Sequence, residues 1–145
     1  MGLFLKDTDS IQVKFSKDFL VTHGEPEHID KLISCGWWTL NRDKIQKSPA
    51  DYWVFVLHTF NQKNTQYVII TPDELMSRLD ILHPDVKSIQ TYLWVTASKT
   101  CWETRGIKKN RINTIVSGTY NEHDKDTRNF TPFLNNWDGM MKRIA

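Results

Sequence analysis

Cysteine is scarce in this chain: Cys35 and Cys101 are the only two, far apart and without a C-x-x-C pair. That argues against a disulfide framework and against a cysteine-based zinc cluster. The expectation is two buried free thiols in a reducing compartment, which makes the cytoplasm the default location. Long apolar runs are missing as well. No stretch approaches the roughly twenty residues that a spanning helix needs, so a membrane is not an expected partner. The first residues, Met1-Gly-Leu-Phe-Leu-Lys-Asp, lack a basic region followed by a long apolar stretch, and no signal peptide is expected. There is no internal repeat and no low-complexity tract. An excess of one charge is also absent: 19 Lys and Arg face 17 Asp and Glu, a net charge of +2. Such a balance does not demand nucleic acid, and permits it only where positive charge gathers on one face.

Aromatic residues, by contrast, are abundant, at 12% of the chain with six Trp. A chain of 145 residues fits one domain spanning 1–145 around one core, and large rings anchor such a core efficiently. Ile11, Val13 and Phe15 alternate with Gln12, Lys14 and Ser16, the period of a half-buried strand with Val13 turned to the core. Glu25-Pro26-Glu27 predicts a short helix with Ile29, Leu32 and Ile33 on one face, ended by Gly36, after which Trp37 to Leu40 reads as strand. Tyr52 to Leu57 is continuously apolar and β-branched or aromatic, the signature of a central strand covered on both faces. Gln66 to Ile70 is its returning partner. Thr71-Pro72-Asp73-Glu74 is a capping box with proline at the first helical position. Tyr92 to Thr96 predicts a further strand, 105–117 is basic and fits no single element, and 120–128 reads as polar loop. Asn135 onward predicts a terminal helix carrying Trp137, Met140 and Met141. Strand hairpins in the middle and helices at the side and end predict an α+β fold with a mixed, largely antiparallel central sheet flanked by helices.

Three groups of residues bear on chemistry. On a strand, Gln12 and Lys14 project from one face. A carboxamide or carboxylate one pleat from an ammonium can hold a divalent cation beside a group that orients water toward a phosphodiester. Such a cation needs hard oxygen ligands, normally with a carboxylate, and Asp7 and Asp9 are the nearest in sequence. An amphipathic edge strand accounts for the same Gln-x-Lys pattern without chemistry. The second group is Lys99, Trp102, Arg105, Lys108, Lys109 and Arg111, a basic stretch with an interleaved aromatic and a single acid, Glu103, suited to phosphates and stacked bases. A solvated surface segment is the plain alternative. The third group is the histidines. His23 and His28 are spaced wrongly for two ligands on one helix face, His58 follows the apolar strand, His83 is expected at a helix start, and His123 lies in the polar loop. Trp38, Trp53, Trp94 and Trp137 fall in apolar patterns and are expected in the core.

The runs I-Q-V-K-F-S, W-W-T-L-N, D-Y-W-V-F-V-L, Y-V-I-I-T-P-D-E-L and F-L-N-N-W-D together resemble the PD-(D/E)xK superfamily, the restriction-endonuclease-like fold. The likeness runs from about Ser10 to the end and is nearest to bacterial members in which Q-V-K stands for the E-x-K element. The resemblance implies that Gln12 occupies the acidic position, that Lys14 is the catalytic lysine, and that Mg²⁺ is the cofactor of DNA hydrolysis. It also implies an Asp-bearing strand before Gln12 as the main Mg²⁺ site. Only eleven residues precede Gln12 here, too few for a comfortable hairpin carrying Asp7 or Asp9, so the N-terminal part of that core is expected to be missing. The leading functional expectation is a metal-dependent DNA endonuclease using Lys14, Gln12 and Asp9 or Asp7, with 99–111 gripping the backbone. The alternatives are a catalytically inactive DNA-binding or oligomeric module of the same fold, and an accessory subunit. In the latter two, a second copy or a partner chain completes the sheet.

Overall fold

A computed structural model describes residues 10–16, 30–58 and 65–141 of the chain. Its elements run β1 (Ile11–Phe15), β2 (Leu32–Asn41), α1 (Arg42–Gln46), β3 (Tyr52–Leu57), β4 (Gln66–Ile70), α2 (Pro72–Leu82), β5 (Ser88–Thr96), β6 (Cys101–Glu103), α3 (Lys109–Ser117), α4 (Lys125–Arg128) and α5 (Trp137–Met141), with a short 3₁₀ turn at Thr131–Phe133. The α+β class stands. The single central sheet is corrected to two three-stranded sheets, one ordered β1-β3-β4 and the other β2-β5-β6. The first is mixed: β1 lies parallel to β3 with Gln12 opposite Trp53 and Lys14 opposite Phe55, and β3 and β4 are antiparallel. The second is wholly antiparallel.

The split follows from which faces are apolar. Tyr52–Leu57 is buried along its whole length, as its composition predicts, because both faces of its sheet carry cover. On one face Trp53, Phe55 and Leu57 join Val68 and Ile70 in the main core. The second sheet adds Trp38, Leu40, Ile89, Leu93 and Val95 to that core, and α1 and α2 add Ile45, Leu75, Met76 and Leu79. On the other face of β3, Tyr52, Val54 and Ile69 pack with Met140. The outer face of β2-β5-β6 is covered by α3, where Cys35, Trp94, Trp102, Ile115 and Tyr120 form a separate apolar layer. Both cysteines are buried and free. Burial pushes their thiols above the ordinary range, which makes them inert apolar side chains rather than nucleophiles.

Several local expectations hold and several are corrected. The Thr71 hydroxyl accepts from the Glu74 amide at 3.2 Å, so α2 is capped as its sequence predicts. The Glu74 carboxylate receives Arg78 Nε at 3.1 Å. Leu32 and Ile33 belong to β2 and not to a helix, because β2 pairs antiparallel with β5 from Leu32 to Asn41, with a register shift at Ile33 between Leu32 and Ser34; residues 25–29 lie outside the described part. His83 closes α2 instead of opening a helix, with its amide bonded to the Leu79 carbonyl at 2.7 Å. The 109–117 stretch is helical, ended by Gly118 in the left-handed region that glycine tolerates, and 125–128 is a helical turn inside the expected loop. Trp137 is 38% exposed rather than core, resting edge-on against Tyr67. Ile11, Val13 and Phe15 are 44%, 45% and 68% exposed, so Val13 does not enter the core. The face of β1 that carries Gln12, exposed, and Lys14, half-buried, is the one beside the core residues Trp53 and Phe55.

One close approach holds the two sheets together at this end. The Trp38 ring folds back over Gly36, packs edge-on to Phe55 at 5.0 Å, and its Nε1 donates to the Lys14 carbonyl at 3.2 Å. A Cβ on residue 36 would lie 2.3 Å from Trp38 Cη2, and the buried ring has no free direction in which to retreat. Gly36→Ala is therefore expected to destabilise the fold by about 1–3 kcal/mol, read as a lower urea midpoint with unchanged slope. A wild-type midpoint for this variant would show that the indole is not wedged as described.

Candidate functional site

Gln12 and Lys14 do project into one concavity. A groove of about 450 Å³ is lined by Gln12, Lys14, Asp43, Lys44, Lys47, Ser48, Pro49 and Trp53. Its parts are placed by ordinary local rules. The parallel pairing of β1 with β3 sets both side chains over Trp53. The Lys14 ammonium stands 5.1 Å from the centre of the Trp53 ring, a cation–π contact that holds the amine at the groove floor. The Trp53 Nε1 donates to Ser48 Oγ at 2.9 Å, which fixes the ring's other edge. The opposite wall is α1, started by Asn41, whose side chain accepts from the Lys44 amide at 3.0 Å. That cap presents Asp43, Lys44 and Lys47 toward β1. The groove thus carries three lysines and one carboxylate.

These α1 residues were not among the sequence candidates. A five-residue helix has too little periodicity to register, although the N-cap pattern Asn41-Arg42-Asp43-Lys44 signals its start. The converse holds for the basic stretch. Lys99, Trp102, Arg105, Lys108, Lys109 and Arg111 contribute nothing to the groove lining. Lys108 precedes α3 without a side-chain capping bond, and Lys109 and Arg111 ride on it, over the outer face of β2-β5-β6, whereas the groove opens beside the core on the inner face. Lys99 sits in the β5–β6 turn with a positive φ of 67°. Arg111 Nε lies 3.8 Å from the Glu122 carboxylate. Trp102 is corrected outright: it is 6% exposed and packs edge-on to Tyr120, so its ring has no face left for a base. Arg105 lies over Tyr92, with guanidinium carbon and ring centre 5.3 Å apart.

Asp7 and Asp9 fall outside the described residues. Within them, no three His, Cys, Asp or Glu side chains converge in a way that could hold a metal ion. Gln12 and Asp43 supply one neutral and one anionic oxygen donor beside three ammonium groups. Among the described residues that set by itself does not complete the oxygen shell of a Mg²⁺ ion, which takes one or two carboxylates with waters and substrate phosphates. The same set suits oxyanions.

A second polar assembly lies between α2, β5, β6 and α4. The Glu103 side chain is fully buried. Its Oε1 accepts from Arg128 Nη1 at 2.6 Å, and its Oε2 accepts from Thr91 Oγ1 at 2.8 Å and meets His83 Nε2 at 2.9 Å. Arg128 Nε binds Asp124 at 2.6 Å, and the Tyr120 hydroxyl donates to the same carboxylate. Burial and the adjacent Asp124 push the Tyr120 phenol up to about 12, so it remains a donor at neutral pH. Burial would raise Asp124, but the hydrogen bonds from Tyr120 and Arg128, with the Arg128 charge, outweigh it and hold the carboxyl below its usual range.

The chain matches no family model, no curated protein and no solved structure. Among the described residues no helix is long and apolar enough to cross a membrane.

A carboxyl held low in the folded state stabilises it at neutral pH, and that contribution is lost as pH falls through the folded value. Asp124→Asn is expected to cost about 1–3 kcal/mol near neutrality, with the difference from wild type shrinking in acid. Urea unfolding at the two pH values checks this; a pH-independent difference would contradict it.

Proposed function

We propose that this chain is a DNA-directed protein of the endonuclease-like class, working through the Gln12–Lys14 groove. The observation that carries the reading is that these two side chains share a concavity with Asp43, Lys44 and Lys47. Three ammonium groups in one groove offer a track for a phosphate backbone, and the Gln12 carboxamide and Ser48 hydroxyl add neutral hydrogen-bond partners. Buried free thiols suit a reducing compartment, which agrees with a cytoplasmic protein. The endonuclease-like assignment itself rests on the sequence resemblance. In this reading Lys14, which lies over Trp53, orients water at a bound phosphodiester. Hydrolysis additionally needs carboxylates beyond those in the described groove, and Asp7 and Asp9 are the sequence candidates.

The single groove carboxylate favours a second reading, an inactive DNA-binding or accessory module. β1 is the end strand of its sheet, and among the described residues its outer edge has no strand partner. A second copy or a partner chain that adds a strand there would complete the sheet.

Two measurements separate these readings. Plasmid incubated with Mg²⁺ or Mn²⁺ is expected to be nicked by the wild type and not by Lys14→Ala; retention without nicking by either selects the inactive module. DNA affinity is expected to fall steeply with salt, and replacing Lys14, Lys44 and Lys47 with Ala should flatten the log–log slope by roughly one unit per lysine that contacts phosphate. Salt-independent retention, or a slope untouched by all three substitutions, removes the groove from the reading.

A further inference from the structure

We propose that a notch at the C-terminal end of α2, separate from the Lys14 groove, is a binding site for a phosphate monoester group. The notch measures about 290 Å³ and is lined by His83, Pro84, Val86, Ser88, Gln90 and Arg105. It lies where β6 ends at Glu103: past the Thr104 amide, which donates to the Tyr92 carbonyl at 2.9 Å, the early part of β5 has no strand partner on that edge among the described residues. Arg42 pins that loop, donating through Nε to the Val86 carbonyl at 2.8 Å and through Nη2 to the His83 carbonyl at 2.7 Å, and pairing with Asp80. The wall is therefore preformed.

The chemistry of the lining points to an oxyanion. Glu103 behind the notch accepts from Arg128 Nη1 and Thr91 Oγ1, and its Oε2 faces His83 Nε2 at 2.9 Å. With Nε2 committed, Nδ1 is the ring nitrogen left for a ligand. An Arg128–Glu103 pair meant only to hold the fold needs no third partner on a cleft wall. Here a fully buried carboxylate fixes the ring of a histidine whose side chain remains 16% exposed. Such an arrangement orients a functional imidazole. Across the notch, Arg105 has no carboxylate partner among the described residues. Its Nη1 donates to the Tyr92 hydroxyl at 3.2 Å, and its stacking on that ring leaves the rest of the guanidinium fork for a ligand. Ser88 and Gln90, alternate exposed residues of β5, add a hydroxyl and a carboxamide. Polar groups from Arg105, Ser88, Gln90 and His83 line the notch together and surround a tetrahedral oxyanion better than a planar carboxylate, which has only two oxygens to share among them.

The phosphate could belong to a free small molecule or to a nucleic-acid terminus, and the test separates these. Inorganic phosphate and a mononucleotide are titrated into the full chain while the His83 ring nitrogens and the Arg105 amide are followed by NMR. The expected result is saturable shifts of both residues, with affinity reduced about tenfold or more in Arg105→Ala and the ligand-free melting temperature unchanged. His83→Gln retains an N–H donor for Glu103 but loses Nδ1, and is expected to weaken binding likewise. Lys14→Ala should leave phosphate binding at the notch intact, which keeps this result independent of the groove. Tighter binding of a 5′-phosphorylated oligonucleotide than of the mononucleotide assigns the phosphate to a nucleic-acid end. Absent shifts at millimolar phosphate, or shifts unchanged in Arg105→Ala, overturn the proposal.

Discussion

The placement of Trp38 between the sheets is the constraint on which the rest of the structure depends. Its ring fills the space over Gly36, abuts Phe55 of the opposite sheet, and its single polar atom reaches the backbone of β1. One residue therefore sets the distance between sheets and the position of the strand that bears Gln12 and Lys14. A smaller ring would leave a void in the core, and a side chain at position 36 would expel the indole. The groove owes its depth to the same packing, since Trp53 lies beside Phe55 and forms its floor.

The polar assembly around Glu103 follows a different logic. Burying a carboxylate costs several kcal/mol unless partners replace water. Arg128, Thr91 and His83 do so, and Arg128 is itself fixed by Asp124 and by the carbonyls of Glu103 and Arg105. Arg78 ties α2 to the same region through the carbonyls of Asp126, Thr127 and Asn129, while stacking over Phe130 and Phe133. The segment that reads as a polar loop in sequence is thus held by two arginines. Of its charged residues, Asp124 and Arg128 spend their hydrogen bonds internally.

What was legible in the sequence was whatever depends on near neighbours. Tyr52–Leu57 announced a strand buried on both faces, Thr71 announced the start of α2, and Gln12 and Lys14 shared a face by the strand period alone. Long-range pairing was not legible. Leu32 and Ile33 carry a helical spacing, yet they are claimed by β5, some sixty residues away, because antiparallel hydrogen bonds and burial outweigh a weak local preference. The division into two sheets depends on such pairings and could not be read from individual strands. The basic stretch at 99–111 clusters in sequence but is divided in the fold: Lys109 and Arg111 ride on α3, over the opposite side of a sheet from Lys14, while Lys99 and Arg105 lie outside that helix. Glu103, its lone acid, is a buried anchor that only the fold reveals.

The position of β1 at the rim of its sheet carries one more consequence. Among the described residues the strand is held by its parallel neighbour on one side, by the bonds between Ser10 and Asp51 at its start and at one point by an indole, fewer attachments than a strand enclosed between two others has. Any molecule that bridges Lys14 to Lys44 or Lys47 joins this rim to α1 and adds its binding energy to the cohesion of that corner. Occupancy of the groove and integrity of the rim are one linked equilibrium, so the melting curve of the protein doubles as a sensor for its own ligands.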